Sequence, residues 1–330
     1  MTATLPVVLP PDPRRQRLAR LGRRALVRLL GAALVLLAVA TLTFFVLRLM
    51  PGDPALAILG GASANPTPET LEATRREYGL DRPLGVQYLF YLQRLAHGDL
   101  GVSYSQHQPV TQVLAEQGGA TLQLTVAALV LAWLLVLLLT VLTAGRGRWL
   151  GGLASLCETV AASIPQFWLG VVLLAVFAFG LRWFPPAGSD SLAALVLPAL
   201  ALAIPLAGFI AQITREALEL TLEQPFILTA RTRGLGELQV RFRHALRHAV
   251  LPGVSLSGWA IGALISGAVV VEVIFSRKGL GRQLYQAVQM QDLPLTIGIS
   301  LVVAAVYVLA NVLVDLLHLW LDPRQQEQRP

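Results

Sequence analysis

Six apolar runs leave this chain little choice of architecture. Leu26 to Met50, Ala120 to Thr143, Leu153 to Leu181, Leu192 to Ile213, Gly253 to Phe275 and Pro294 to Leu319 each exceed twenty residues and carry few charges. About 20 consecutive apolar residues are what a helix needs to cross a bilayer, so the expected fold is an all-α integral membrane protein with six transmembrane helices. Composition agrees: 55% of residues are hydrophobic and 14% charged, against about 25% charged in ordinary soluble domains. The first run is preceded by a basic segment, as in a secretory signal peptide. Its apolar length exceeds the roughly 7–15 residues of a signal core, which favours a retained anchor. The third run is interrupted by Ile164-Pro165-Gln166 and the fourth contains Pro198 and Pro205. Proline inside a membrane helix is tolerated where neighbours or a cavity satisfy the freed carbonyl.

The polar segments give the organisation and its orientation. Residues 1–25 form a basic tail, disordered at first and then helical, and residues 51–119 form a polar insert with an acidic balance. Within the insert, Thr67 to Gly79 reads as a helix capped by Thr67 or Thr70. Val86 to Leu95 reads as a second helix, with Tyr88, Phe90 and Tyr91 at headgroup level. A five-helix core follows over 120–320, with a tail at 321–330. With both ends inside, cytoplasmic segments collect seventeen of the twenty-six basic residues, as the positive-inside rule requires. The net charge of +7 is thereby explained by topology, and no nucleic-acid partner is expected.

The stretch Thr214 to Pro252 is the one long polar break within the core. Its six arginines are interleaved with Leu220, Phe226, Ile227, Leu235, Leu238, Val240, Phe242, Leu246 and Val250 at intervals suited to amphipathic helices. Gly234 lies in the middle, where a helical pattern turns, and Pro225 and Pro252 punctuate its sides. The expected shape is helix, glycine turn, helix, with a partner on the apolar face.

Chemistry of its own is not legible in the chain. The sole lysine, Lys278, is preceded by no Gly-x-x-x-x-Gly-Lys-Ser/Thr loop, and neither His-Glu-x-x-His nor Gly-x-Ser-x-Gly occurs. The single cysteine, Cys157, provides neither disulfide nor cysteine metal site within one chain. His244 and His248 share a helix face but have no third ligand nearby. No catalytic residue, metal site or cofactor is therefore expected. A membrane-embedded enzyme acting on lipid, the competing class, would need clustered nucleophiles, acids or metal ligands at one membrane face. Among ionisable groups in the spans, Glu158 suits a solvated or helix-pairing role, as does Asp315. Glu272 suits either pathway lining or local pairing.

The ordered motifs resemble one family. FILTARTRGLGELQVRFRHALRHAVLP is similar to the cytoplasmic signature loop of ABC transporter permeases, in the peptide/nickel branch of binding-protein-dependent importers. Pro51-Gly52-Asp53-Pro54, Tyr78 to Pro83, Gly98 to Ser103, Thr121 to Leu124, Gly267 to Glu272, Gly279-Leu280-Gly281, Asn311 with Asp315, and Asp322-Pro323-Arg324 match the branch in order. The sequence departs at Pro225-Phe226 (often Asp-Tyr), His248 (Asn) and Arg277-Lys278 (Trp-Pro). The family's Glu-Ala-Ala is reduced to Leu228-Thr229-Ala230. The resemblance implies a type I importer permease fold in a bacterial inner membrane, both termini cytoplasmic. It also implies a second homologous permease, two cytoplasmic ATPase subunits and an extracytoplasmic solute-binding protein as partners, with di- or oligopeptides as the leading solute and nickel or another small solute as the variant. By the same resemblance Thr229, Ala230, Arg231 and Leu235 form the ATPase-docking surface, Gly234 its turn, and His244 to Arg247 brace the second helix. Glu272 and Asp315 are then the candidate pathway or gating residues.

Overall fold

The computed structural model describes residues 13–61 and 65–321. Their helices are α1 (Pro13–Leu49), α2 (Pro54–Ile58), α3 (Pro68–Glu77), α4 (Leu84–Ala96), α5 (Val110–Thr143), α6 (Gly147–Ser163) and α7 (Gln166–Leu173). A π-helical stretch (Leu174–Gly180) extends α7, and α8 (Ala193–Leu222), α9 (Pro225–Thr232) and α10 (Glu237–Gln239) follow. A second π-helical stretch (Val240–Ala245) joins α10 to α11 (Leu246–Ile274), and α12 (Leu280–Gln289) and α13 (Leu293–Leu321) complete the chain.

Five helices are long and apolar enough to cross a membrane, and the α6–α7 pair makes a sixth span bent by 99°. The bend falls at Ile164-Pro165, where the sequence places it. Proline has no N–H to donate and pushes the residue before it out of the helical region; Ile164 accordingly sits at φ −76°, ψ 125°.

The core forms where α5, α7, α8 and α11 meet. Leu124, Ala128, Leu197, Ala201, Leu202, Ala203, Ile210, Leu264 and Val271 are buried together. The many alanines of α8 let neighbouring backbones approach, and close packing replaces the hydrophobic effect as the adhesive between membrane helices. Gly208 shows how close: a Cβ there would lie 2.6 Å from both the Glu158 carbonyl oxygen and the Ala162 nitrogen of α6. A second cluster seats α1 on α13, with Phe44 against Leu293 and Ile297.

The insert is folded onto the bundle. Thr67 caps α3, its hydroxyl accepting from the Thr70 N–H at 3.3 Å. Tyr91 of α4 stacks on Phe44 at 5.6 Å between ring centroids and Tyr88 packs tilted against it at 5.4 Å, while Phe90 lies exposed with the Arg82 guanidinium 5.0 Å from its ring centroid. The Asp292 carboxylate, fully buried, accepts from the Ser103 hydroxyl (2.6 Å), the Ser105 hydroxyl (2.8 Å), the Ser105 N–H (2.9 Å) and the Leu295 N–H (3.2 Å). It thus caps α13 and fastens the loop before α5 to it. The Tyr104 hydroxyl beside this knot is pushed up to about 12, chiefly by burial.

Several expected boundaries move. Helix α1 begins at Pro13, within the expected tail; residues 1–12 and 322–330 lie outside the described residues. Helix α5 starts at Val110, ten residues before the expected span: Val110 and Val113 are buried against Leu295 and Ile299, although polar neighbours dilute the apolar signal there. The largest change is in 214–252. Helix α8 runs on to Leu222 because Thr214, Arg215 and Leu218 are buried, and Pro252 sits inside α11. Only the connection from Glu223 to Gly236 leaves the two long helices.

Candidate functional site

The site anticipated by the glycine turn is a knuckle at one end of the bundle. Pro225 stands in the first turn of α9, where its missing N–H costs nothing. Gly234 has φ +80° with nothing within 4 Å of a would-be Cβ, so glycine is demanded there by backbone conformation and not by space. Beneath the turn Ala144, Leu218, Ile227, Ala230, Val240, Ala245 and Ala249 make a small buried core, with Leu235 packed on its edge. Arg241, also buried, donates to the Val141 carbonyl at 3.2 Å and so closes the end of α5. Arg231 and Glu237 pair at 2.9 Å across the turn.

The expected docking residues therefore divide. Thr229, Arg231, Gly234 and Arg247 are exposed; Ala230 is buried, and Leu235 and His244 are half-buried. The outward apolar surface is instead Phe226, Leu228, Leu238 and Phe242, the last 64% exposed. The Phe226 ring rests edge-on against His248 at 5.4 Å. Sequence reasoning named Phe226, Leu238 and Phe242 among the apolar residues without separating inner from outer, and did not single out Leu228 as apolar surface; the four-residue step from Leu238 to Phe242 was the available signal.

Two buried acids have specific partners. Glu158 of α6 receives the Arg215 guanidinium of α8, with Nε 3.0 and 2.9 Å from its two oxygens and Nη2 also bonded. That is the helix-pairing alternative for Glu158, with a partner the sequence did not indicate. Both side chains are buried. Removing one member of such a pair strands the other charge, at about 3–5 kcal/mol. Glu272, near the opposite end of α11, accepts from the Thr121 hydroxyl (2.6 Å) and the Arg282 N–H (3.0 Å), and Thr121 in turn accepts from the Leu280 N–H (2.8 Å). Its carboxylate thus satisfies the first turn of α12. Gly281 is required alongside: a Cβ there would come within 2.5 Å of the Val269 Cα. Arg277, buried in the following loop, donates to the Gln123 side chain at 2.9 Å. Burial pushes its pKa down and the Glu272 charge opposes that. Asp315 lies on α13, but its side chain is outside the described residues.

Above the knuckle, the α6–α7 bend faces a cavity of about 340 Å³ lined by Ser163, Pro165, Gln166, Pro205, Phe209 and Trp259, among others. No ionisable side chain lines it. Interrupted backbone at membrane depth persists where it is buried in protein or faces water, and this cavity lies against the interruption.

Known proteins are similar to this chain in sequence and in fold. Residues 136–327 match the family described as binding-protein-dependent transport system inner membrane component, and residues 22–125 match the N-terminal membrane component of the same systems. A putative peptide transport system permease protein of Brucella abortus is 40% identical over 307 residues, covering 90% of this chain and 96% of that protein. The glutathione transport system permease protein GsiC of Salmonella typhimurium is 35% identical over 297 residues, with the same coverage. Among solved structures, an inward-facing MetNI methionine ABC transporter chain superimposes with a TM-score of 0.52 at 18% identity, covering 64% of this chain and 97% of that one. That last likeness concerns the fold. Together with the spans and the knuckle, these matches show that the chain belongs to the inner-membrane permease family of binding-protein-dependent ABC importers, a multi-pass transport subunit and not an enzyme.

Proposed function

We propose that this permease carries di- or oligopeptides across the inner membrane, paired with a second homologous permease, two cytoplasmic ATPase subunits and an extracytoplasmic solute-binding protein. Both termini and the α9–α10 knuckle face the cytoplasm. The observation that carries the reading is the knuckle itself: a turn held on its own small core, with Phe226, Leu228, Leu238 and Phe242 facing outward and exposed. Such a surface fits a groove in a partner subunit. ATP-driven closure of the ATPases would displace the two knuckles and reorient the spans by rigid-body movement. The peptide assignment is supported by the names of the Brucella and Salmonella relatives. Uptake of labelled dipeptides, oligopeptides and nickel should be compared between a parent strain and one lacking only this chain. Loss of peptide uptake alone is expected; loss of nickel uptake with peptides unaffected would overturn the solute assignment.

A further inference from the structure

The Glu158–Arg215 pair has a mechanical setting. Arg215 lies on the knuckle side of α8, seven residues from Gly208, where the α6 backbone at Glu158 and Ala162 comes closest to α8. The turn of α6 at Glu158 is therefore held to one half of α8 at two places, Gly208 and Arg215, roughly two α8 turns apart. From Arg215 the helix runs unbroken to Leu222, and after two intervening residues α9 begins. On the other side of the bend the attachments differ. Gly170 of α7 faces Ala201 in the far half of α8 and Phe275 at the end of α11. Between the two sets of contacts each layer carries a proline, Pro165 in the α6–α7 link and Pro205 in α8, and both line the bend cavity. Pro205 lacks the N–H that would donate within α8, Pro165 stands in the break between α6 and α7, and prolines are where helices flex or kink.

We propose that Glu158 and Arg215 are a positioning pair that makes α6 and the knuckle-side half of α8 one lever, hinged at Pro165 and Pro205. Displacement of the α9–α10 knuckle then changes the shape of the cavity between Trp259, Phe209 and Gln166. The pair touches no solute; it transmits. This inference rests on the proposed docking of the knuckle to an ATPase.

The test uses the whole importer in lipid nanodiscs, with Cys157→Ser in this chain and pairs of spin labels on introduced cysteines. Gln224 with Leu134 reports knuckle movement, Leu153 with Leu220 the α6–α8 clamp, and Leu153 with Val171 the bend; all five side-chain sites are exposed. On trapping with ADP and vanadate, the first and third distances should shift while the second stays fixed. In Glu158→Gln the second distance should shift or broaden, and solute moved per ATP hydrolysed should fall about tenfold with ATP hydrolysis itself retained, a loss within the usual range of coupling free energies. Should that variant fail to assemble, Glu158→Cys with Arg215→Cys leaves no buried charge. It should be uncoupled when reduced and regain coupling when bridged by a short bis-thiosulfonate, then lose it again in dithiothreitol. A moving knuckle that leaves α6 behind in the parent protein, or normal coupling in the unbridged variants, overturns the lever. Immobility at all three label pairs would instead defeat the docking reading on which the lever rests.

Discussion

At the scale of single residues, Gly234 and Ala230 show two ways of serving one turn. Gly234 supplies a left-handed conformation in open space, so a β-branched replacement costs about 1–2 kcal/mol in backbone strain alone. Gly234→Val should insert into the membrane normally yet reduce solute-stimulated ATP hydrolysis of the assembled importer severalfold. Gly234→Asn should be milder, since asparagine tolerates that region; equal activity in parent and valine variant, measured by phosphate release, would remove the turn from the coupling path. The requirement at Gly234 was legible because glycine in an amphipathic pattern has a local meaning. The burial of Ala230 was not, because an alanine carries no local mark of which face of an eight-residue helix meets the core. Glu158 posed a third kind of problem: its partner lies 57 positions away, a separation no local pattern reveals.

At the scale of elements, helix ends proved harder to read than helix existence. Polarity begins at Thr214, but a helix leaving the bilayer keeps its hydrogen bonds while its side chains turn polar, and α8 continues for nine residues past Ile213. Pro252 does not punctuate α11 any more than Pro198 and Pro205 end α8; neighbouring helices accommodate all three. The π-helical stretch at Val240–Ala245 also shifts the register that separates inner from outer residues on the knuckle. Its outward apolar set can be tested directly. Leu238→Asp with Phe242→Asp should weaken ATPase binding to the permease by about tenfold or more, as expected for loss of central apolar anchors, without lowering the amount of chain in the membrane. Co-purification of the ATPase with the doubly substituted chain at parental yield would show that the surface serves another purpose.

At the scale of the whole molecule, the apolar runs are readable from composition, and five long apolar helices with the bent α6–α7 pair account for them. Its orientation makes a plain prediction. In intact spheroplasts a membrane-impermeant maleimide should modify His107→Cys and leave Gln239→Cys untouched, and inverted vesicles should give the opposite result, each in the Cys157→Ser background. Modification of the knuckle from outside would reverse the topology and sever it from any cytosolic engine. The knot at Asp292 has a further bearing on how such a molecule receives a signal. Because one carboxylate moors both the loop at Ser103 and Ser105 and the root of the final helix, a protein landing on that loop, in the orientation proposed above, would grip the mast rather than loose rigging.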